Sequence, residues 1–207
     1  MGLPHVSIAS STAALLAFAT LAQAQPPAAG TYTLDRAASV VGFTISGSMV
    51  FKVKEDGRFN DFAGTVAYDP VQPANTHVEL TVYTGSVDTR DAKHAELLKS
   101  GDFFDVEHFP TMTFVGSSTS AKPDGTFVMT GDMTIRGVTK RMTIPVSFRP
   151  NLRADAQPGG VFESNFQIDR TEFGLNGTPR WSGLKVSISK NVQIHLAIAT
   201  SLSAPPR

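Results

Sequence analysis

Apolar and polar residues alternate along most of the chain, and this period of two constrains the fold more than any other feature. Val41, Phe43 and Ile45 share one phase, and the same alternation runs through the last long segment, from Leu184 to Ile198. Successive side chains of a strand point to opposite faces, so the pattern is typical of strands with one buried face. It predicts about eight of them.

Turn-forming residues separate these segments. They are Asp69-Pro70, Lys122–Gly125, Arg136-Gly137 and Gln157–Gly160, and each group supplies a fixed or a positive φ. Because the connections are short, consecutive strands are expected to be antiparallel neighbours.

One segment, at about 89–99, has helical spacing instead. Asp88 or Thr89 is the candidate N-cap, and Gly101 is the expected stop. The apolar side chains of this helix, Leu98 among them, are expected to face the strands.

Eight antiparallel strands with one helix form either a sandwich or a closed barrel, and periodicity does not decide between them. Closure removes the edge strands, and the long last strand is well placed to pair with the first. A barrel of about eight strands is just wide enough to be filled by its own side chains or to enclose one small ligand.

Residues 1–24 differ from the rest of the chain. An Ala-rich apolar run from Ile8 to Leu21 precedes Ala22-Gln23-Ala24, a small-x-small pattern that signal peptidase accepts. We therefore expect a signal peptide at 1–24 and one domain at 25–207. That domain is expected in the periplasm, with secretion beyond it left open, and without a transmembrane segment.

Composition narrows the function classes. The 18 basic and 18 acidic side chains balance, so no overall field draws the chain to nucleic acid or to an anionic membrane. The absence of cysteine excludes disulfides, zinc-thiolate sites and thiol nucleophiles. The histidines show no metal-ligand spacing, and no nucleophile elbow or phosphate loop is present. We therefore expect no metal, no cofactor and no enzymatic activity.

Five segments resemble the YceI-like family of bacterial exported proteins and follow the family's order. They read YTLDRAASVVGFTIS, GRFNDFAGTVAYDP, VDTRDAKHAELLKSGDFFDVEHFPTMTF, TGDMTIRGVTKRMTIPVSF and DRTEFGLNG. The resemblance implies an all-β fold, an eight-stranded antiparallel lipocalin-like barrel with a short helix and an internal apolar cavity. It also implies that this interior binds polyisoprenoid or other amphiphilic lipid chains.

Phenylalanine and methionine are concentrated in the strand phases expected to face inward. The chain has 14 Phe and 6 Met but a single Trp. These side chains either line a tunnel for an apolar ligand or simply fill the barrel. The candidate lining residues are Phe43, Ile45, Phe62, Val66, Val82, Phe114, Met129, Met133 and Phe166, with Phe173, Leu175 and Trp181 from the connection before the last strand.

Four charged or titratable side chains are candidate contacts for a polar head group, namely Arg90, Asp91, His94 and Lys190. For the first three, the alternative is ordinary helix-surface and capping chemistry. For Lys190, the alternative is a β-bulge that turns the cation to solvent.

Taken together, these features predict an exported protein that holds a polyisoprenoid, an isoprenoid quinone or another long-chain lipid, for carriage, storage or stress protection. A structural or interaction barrel with a filled core is one alternative. An enzyme that acts on a captured lipid is another. The sequence also leaves open whether the chain forms a homodimer.

Overall fold

The computed structural model describes residues 29–48, 52–69, 72, 75–121, 126–150, 159–178, 180–181, 184–185 and 187–203. The predicted signal peptide lies outside the described residues, as do the turn residues Pro70, Lys122–Gly125 and Gln157-Pro158.

Strands make up most of the described chain. They are β1 (Gly30–Leu34), β2 (Val40–Ser48), β3 (Lys52–Phe59), β4 (Phe62–Tyr68), β5 (His77–Tyr83), β6 (Val87–Thr89), β7 (Thr111–Ala121), β8 (Thr126–Ile135), β9 (Val138–Pro150), β10 (Gly159–Asp169), β11 (Arg180–Trp181), β12 (Leu184–Lys185) and β13 (Ser187–Leu202). The helix α1 spans Ala92–Lys99, and 3₁₀ turns occupy Thr84–Ser86 and Arg170–Phe173.

Three strands of the barrel are each interrupted once. Strands β1 and β2 both pair with β13, so they are the two halves of one strand. Strands β3 and β4 are likewise the two halves of one strand, because β3 pairs with β2 and β4 pairs with β1. Strands β5 and β6 are the halves of a third, because β5 pairs with β4 and β6 pairs with β3. Counted as β1/β2, β3/β4, β5/β6, β7, β8, β9, β10 and β13, the sheet has eight antiparallel strands and closes through the pairing of β1 with β13. The predicted barrel is confirmed.

The two ends of the barrel differ. At the end where β1 meets Leu202, an aromatic cluster packs edge to face, with Tyr32 about 6.2 Å from Phe162 and 6.4 Å from Tyr68 between ring centroids. We call this the aromatic end. At the opposite end, which we call the helix end, α1 lies beside β6, and Phe104 packs on Phe59 at 5.4 Å.

The helix begins later than the sequence predicts. Asp91 is its N-cap, with its carboxylate accepting a hydrogen bond from the Lys93 amide at 2.8 Å. The prediction of Asp88 or Thr89 as N-cap is wrong, because both residues pair with β3 as part of β6. Pairing with a neighbouring strand has overridden the local helix signal.

The turn at Arg136-Gly137 is confirmed. Ile135 pairs with Val138, so only two residues connect β8 to β9. Both have positive φ, 49° at Arg136 and 71° at Gly137. Two consecutive left-handed residues are what a tight hairpin turn of the favoured handedness requires.

Candidate ligand-binding site

A cavity of about 140 Å³ lies inside the barrel toward the helix end. Apart from Thr113 and Arg170, the side chains that line it are apolar. Seven of the predicted lining residues take part, namely Phe43, Ile45, Val82, Phe114, Met133, Phe166 and Leu175. Strand phase thus identified much of the wall.

A second apolar cavity, of about 60 Å³, lies toward the aromatic end. The predicted residues Val66 and Met129 line it, as does Phe162. Phe114 lines both cavities and is 6% exposed, so its ring stands at the boundary between them.

Three predicted residues are not found in the lining. Phe62 is buried in the core but lines neither cavity. Phe173, 2% exposed, lines a separate polar groove on the outside with Arg136. The side chain of Trp181 lies outside the described part of the structure. Strand phase assigns a face, but it gives neither a depth along the barrel nor the direction of a side chain in a 3₁₀ turn.

Some of the lining comes from α1 and the segment after it. Leu98, Phe103 and Phe104 line the larger cavity at the helix end. The sequence signals were the helical spacing of Leu98 and the adjacent aromatic pair, which must be buried somewhere. Their position over the barrel interior depends on contacts between distant parts of the chain, which a local pattern does not show.

Glycines make room for two of the lining rings. Phe43 pairs across the sheet with Gly57, and a Cβ on that glycine would lie 2.2 Å from the Phe43 Cζ. The Phe114 ring lies against Gly116 and Gly131, where a Cβ would fall within 2.8 and 2.7 Å of ring carbons. Real Cβ atoms do not come so close, so only glycine leaves room for both rings at these positions.

Arg170 is a buried cation that contributes only apolar atoms to the cavity wall. Its Nε donates to the Ser189 carbonyl at 3.0 Å, and Nη1 donates to the carbonyl of Leu175. Burial lowers the pKa of the Arg170 guanidinium, although the Asp169 carboxylate partly offsets this. Hydrogen bonds to backbone carbonyls therefore occupy the guanidinium, which ties the connection after β10 to the start of β13.

The structure separates the four candidate head-group residues. Arg90 is exposed, and Asp91 caps α1. Lys190 lies where the register of β13 against β2 shifts, and its 69% exposed side chain reaches the Asp169 carboxylate at 3.4 Å. Both arrangements match the structural alternatives stated for Asp91 and Lys190.

His94 is the candidate that lies next to the cavity wall. Its Nδ1 is 3.2 Å from Glu55 Oε2 of β3. Leu98, one helical turn later, lines the larger cavity, so the two side chains share the face of α1 that meets the barrel. Glu55 was not predicted from the sequence, because it is the charged residue that interrupts the inward phase of β3 and so hides the alternation of that segment.

Residues 32–200 match the YceI-like domain family. The chain belongs to the YceI-like family. A UPF0312 protein of Shewanella sp. strain MR-4 is 33% identical over 190 residues, which are 90% of this chain and 94% of that relative. A UPF0312 protein of Pseudomonas aeruginosa strain LESB58 is 36% identical over 123 residues, 58% of this chain and 62% of the relative.

Solved structures share the YceI-like barrel. BcnA of Burkholderia cenocepacia superposes with a TM-score of 0.67 at 27% identity, covering 80% of this chain and 98% of BcnA. A polyisoprenoid binding domain from Saccharophagus degradans gives a TM-score of 0.60 at 15% identity, covering 83% and 98%. The second likeness, at such low identity, shows the fold alone.

Two further findings concern the described residues of this YceI-like chain. None of their His, Asp and Glu side chains form a group of three or more that is able to hold a metal ion. No helix among them is both long and apolar enough to cross a membrane.

Proposed function

We propose that this YceI-like barrel binds one elongated apolar lipid of the polyisoprenoid class. The observation that carries the proposal is the larger cavity, whose wall is apolar except for Thr113 and Arg170. Burial of each CH₂ group of such a ligand contributes about 0.8 kcal/mol, so a few isoprene units give useful affinity. The name of the Saccharophagus degradans domain, which shares the fold, supports the choice of ligand class.

The cavity volume sets how such a ligand fits. An apolar cavity of about 150 Å³ holds a guest of about the size of benzene, and the larger cavity measures about 140 Å³. A chain of several isoprene units therefore needs side chains to move. Met112 and Met133 line this cavity, and their unbranched side chains adapt readily to an irregular guest. Rotation of Phe114 extends the space toward the aromatic end.

The cellular part of the proposal is export to the periplasm and carriage, storage or stress protection of the bound lipid, without a cofactor and without catalysis. The apolar run and the Ala22-Gln23-Ala24 pattern support export. The family resemblance supports the lipid-related roles.

The test is native mass spectrometry of the chain taken from a periplasmic extract of its own cells without detergent, followed by organic extraction. We expect the protein mass to be that of a chain cleaved after Ala24. We also expect an additional stoichiometric mass, which extraction identifies as a polyprenyl lipid. A chain that stays bare, even after incubation with prenyl alcohols and quinones, would support the filled-barrel alternative instead.

A further inference from the structure

The inward face of β3 carries a carboxylate. Phe59, Gly57 and Glu55 follow at intervals of two, so their side-chain positions share one face. Phe59 lines the larger cavity, and the Phe43 ring packs against Gly57. Glu55 pairs across the sheet with Ile45, which also lines the cavity. Glu55 itself does not line the cavity, so its carboxylate lies at the rim, beside Ile45.

The helix α1 closes over this carboxylate. His94 Nδ1 approaches Glu55 Oε2 at 3.2 Å, and the two side chains are only 24% and 31% exposed. The pair thus bridges β3 and α1 beside the cavity, in a position shielded from much of the solvent.

The second carboxylate oxygen of Glu55, Oε1, accepts no hydrogen bond from the described residues. This oxygen also has almost no contact with solvent. Buried polar atoms in proteins nearly always have a partner, because a charged group that loses water without replacement is strongly destabilised. The terminal torsion of a glutamate is soft, so Oε1 is able to reorient toward a donor that approaches it.

We propose that Glu55 Oε1 accepts a hydrogen bond from a hydroxyl at the head of the bound apolar chain. The inference rests on the proposed function, because the apolar chain must occupy the cavity for its head to reach the rim. An ionised carboxylate is an acceptor only. It therefore selects a prenyl alcohol over a prenyl ether, which has no proton to donate, and over a prenyl phosphate, whose charge it repels.

The Arg170 guanidinium does not compensate for that repulsion by pairing with a phosphate, because no polar atom of the lining faces the cavity. Each of its three guanidinium nitrogens is directed to a backbone carbonyl, of Ser189, Leu175 or Ile188. A neutral donor head is thus the chemistry that the polar groups at the helix end favour.

The experiment compares three probes with one fifteen-carbon chain, farnesol, farnesyl methyl ether and farnesyl phosphate. Each displaces the neutral fluorophore N-phenyl-1-naphthylamine from the purified chain. A hydrogen bond to a charged group is worth enough to favour farnesol over its ether by about 10- to 100-fold. In Glu55→Ala the ratio of the two affinities falls to about one, and in Glu55→Gln, which keeps an acceptor oxygen, it falls less.

The matched control is Asp56→Ala, on the neighbouring outward-facing residue, whose carboxylate accepts from Thr44 Oγ1 at 2.7 Å. It keeps the wild-type ratio. Equal binding of farnesol and its ether, or tightest binding of the phosphate, would overturn the head-group inference and leave the apolar-chain proposal standing. No displacement by any probe would overturn both.

Discussion

Replacement of Phe114 by alanine is expected to lengthen the ligand that the barrel accepts. Phe114 is buried at the boundary of the two cavities, whose other shared lining residues are Leu80, Ile144 and Leu196. The substitution removes a six-carbon ring and joins the spaces of about 140 and 60 Å³. At about 0.8 kcal/mol for each buried CH₂, a further five-carbon isoprene unit gains up to about 4 kcal/mol.

The same change costs stability. Phe→Ala substitutions in a core lower the free energy of unfolding by about 3–5 kcal/mol, so Phe114→Leu serves as a milder variant. Affinities are measured by displacement of N-phenyl-1-naphthylamine with prenyl alcohols of two to five isoprene units. We expect the preferred chain to grow by about one unit in Phe114→Ala.

The control is Phe62→Ala, which removes an equally buried ring that lines neither cavity. It is expected to lose similar stability and to keep the wild-type length preference. An unchanged preference in Phe114→Ala, with the variant folded, would refute the view that this ring divides one continuous binding space.

Three further predictions concern stability. Gly57→Ala lowers the free energy of unfolding by about 1–3 kcal/mol, because its Cβ meets the Phe43 ring; denaturant titration measures this, and an unchanged midpoint would count against the close approach. The hydrogen bond with Asp105 raises the pKa of His108 in the folded chain. The stability that this hydrogen bond contributes is therefore fully present below the pKa of His108 in the unfolded chain, near 6.5, and is lost as pH rises through the folded pKa. In an NMR titration Asp105→Asn should lower that pKa, and no change would contradict the assignment. Arg170→Met leaves backbone carbonyls without donors, which lowers the free energy of unfolding by about 1–3 kcal/mol for each carbonyl that stays buried. If the variant unfolds at the same temperature as the wild type, these hydrogen bonds contribute little.

Much of the fold follows from local pattern. The barrel strands bury one face, so segments such as 41–45 alternate and were predicted as strands. The hairpin turn at Arg136-Gly137 was predicted because a glycine favours positive φ. Closure was not predicted from the period, since a sandwich and a barrel share it, and the family resemblance was needed to choose. The start of α1 was misplaced because Asp88 and Thr89 gain more from pairing with β3 than from capping a helix.

The site was predictable only where it lies on regular strands. Phe43 and Phe166 line the cavity because alternation fixes their face. Phe103 and Phe104 reach it through the fold of the segment after α1, which joins parts of the chain that are far apart in sequence. Glu55 was missed because its own charge interrupts the inward phase of β3, so the segment did not read as a strand with one apolar face. A polar residue inside an apolar phase is therefore a signal worth following in chains of this kind.

The last strand has a consequence for how the molecule forms. β13 pairs with β10, with β2 and, at its very end, with β1, so that Leu202 lies opposite Tyr32. The barrel cannot close until the final residues of this strand have left the ribosome. Proteins dominated by such non-local pairings fold in about milliseconds to seconds, more slowly than helical proteins of similar stability. Neighbouring strands such as β8 and β9 are able to pair earlier, and the pairing of β13 with β1 and β2 is the step that encloses the interior.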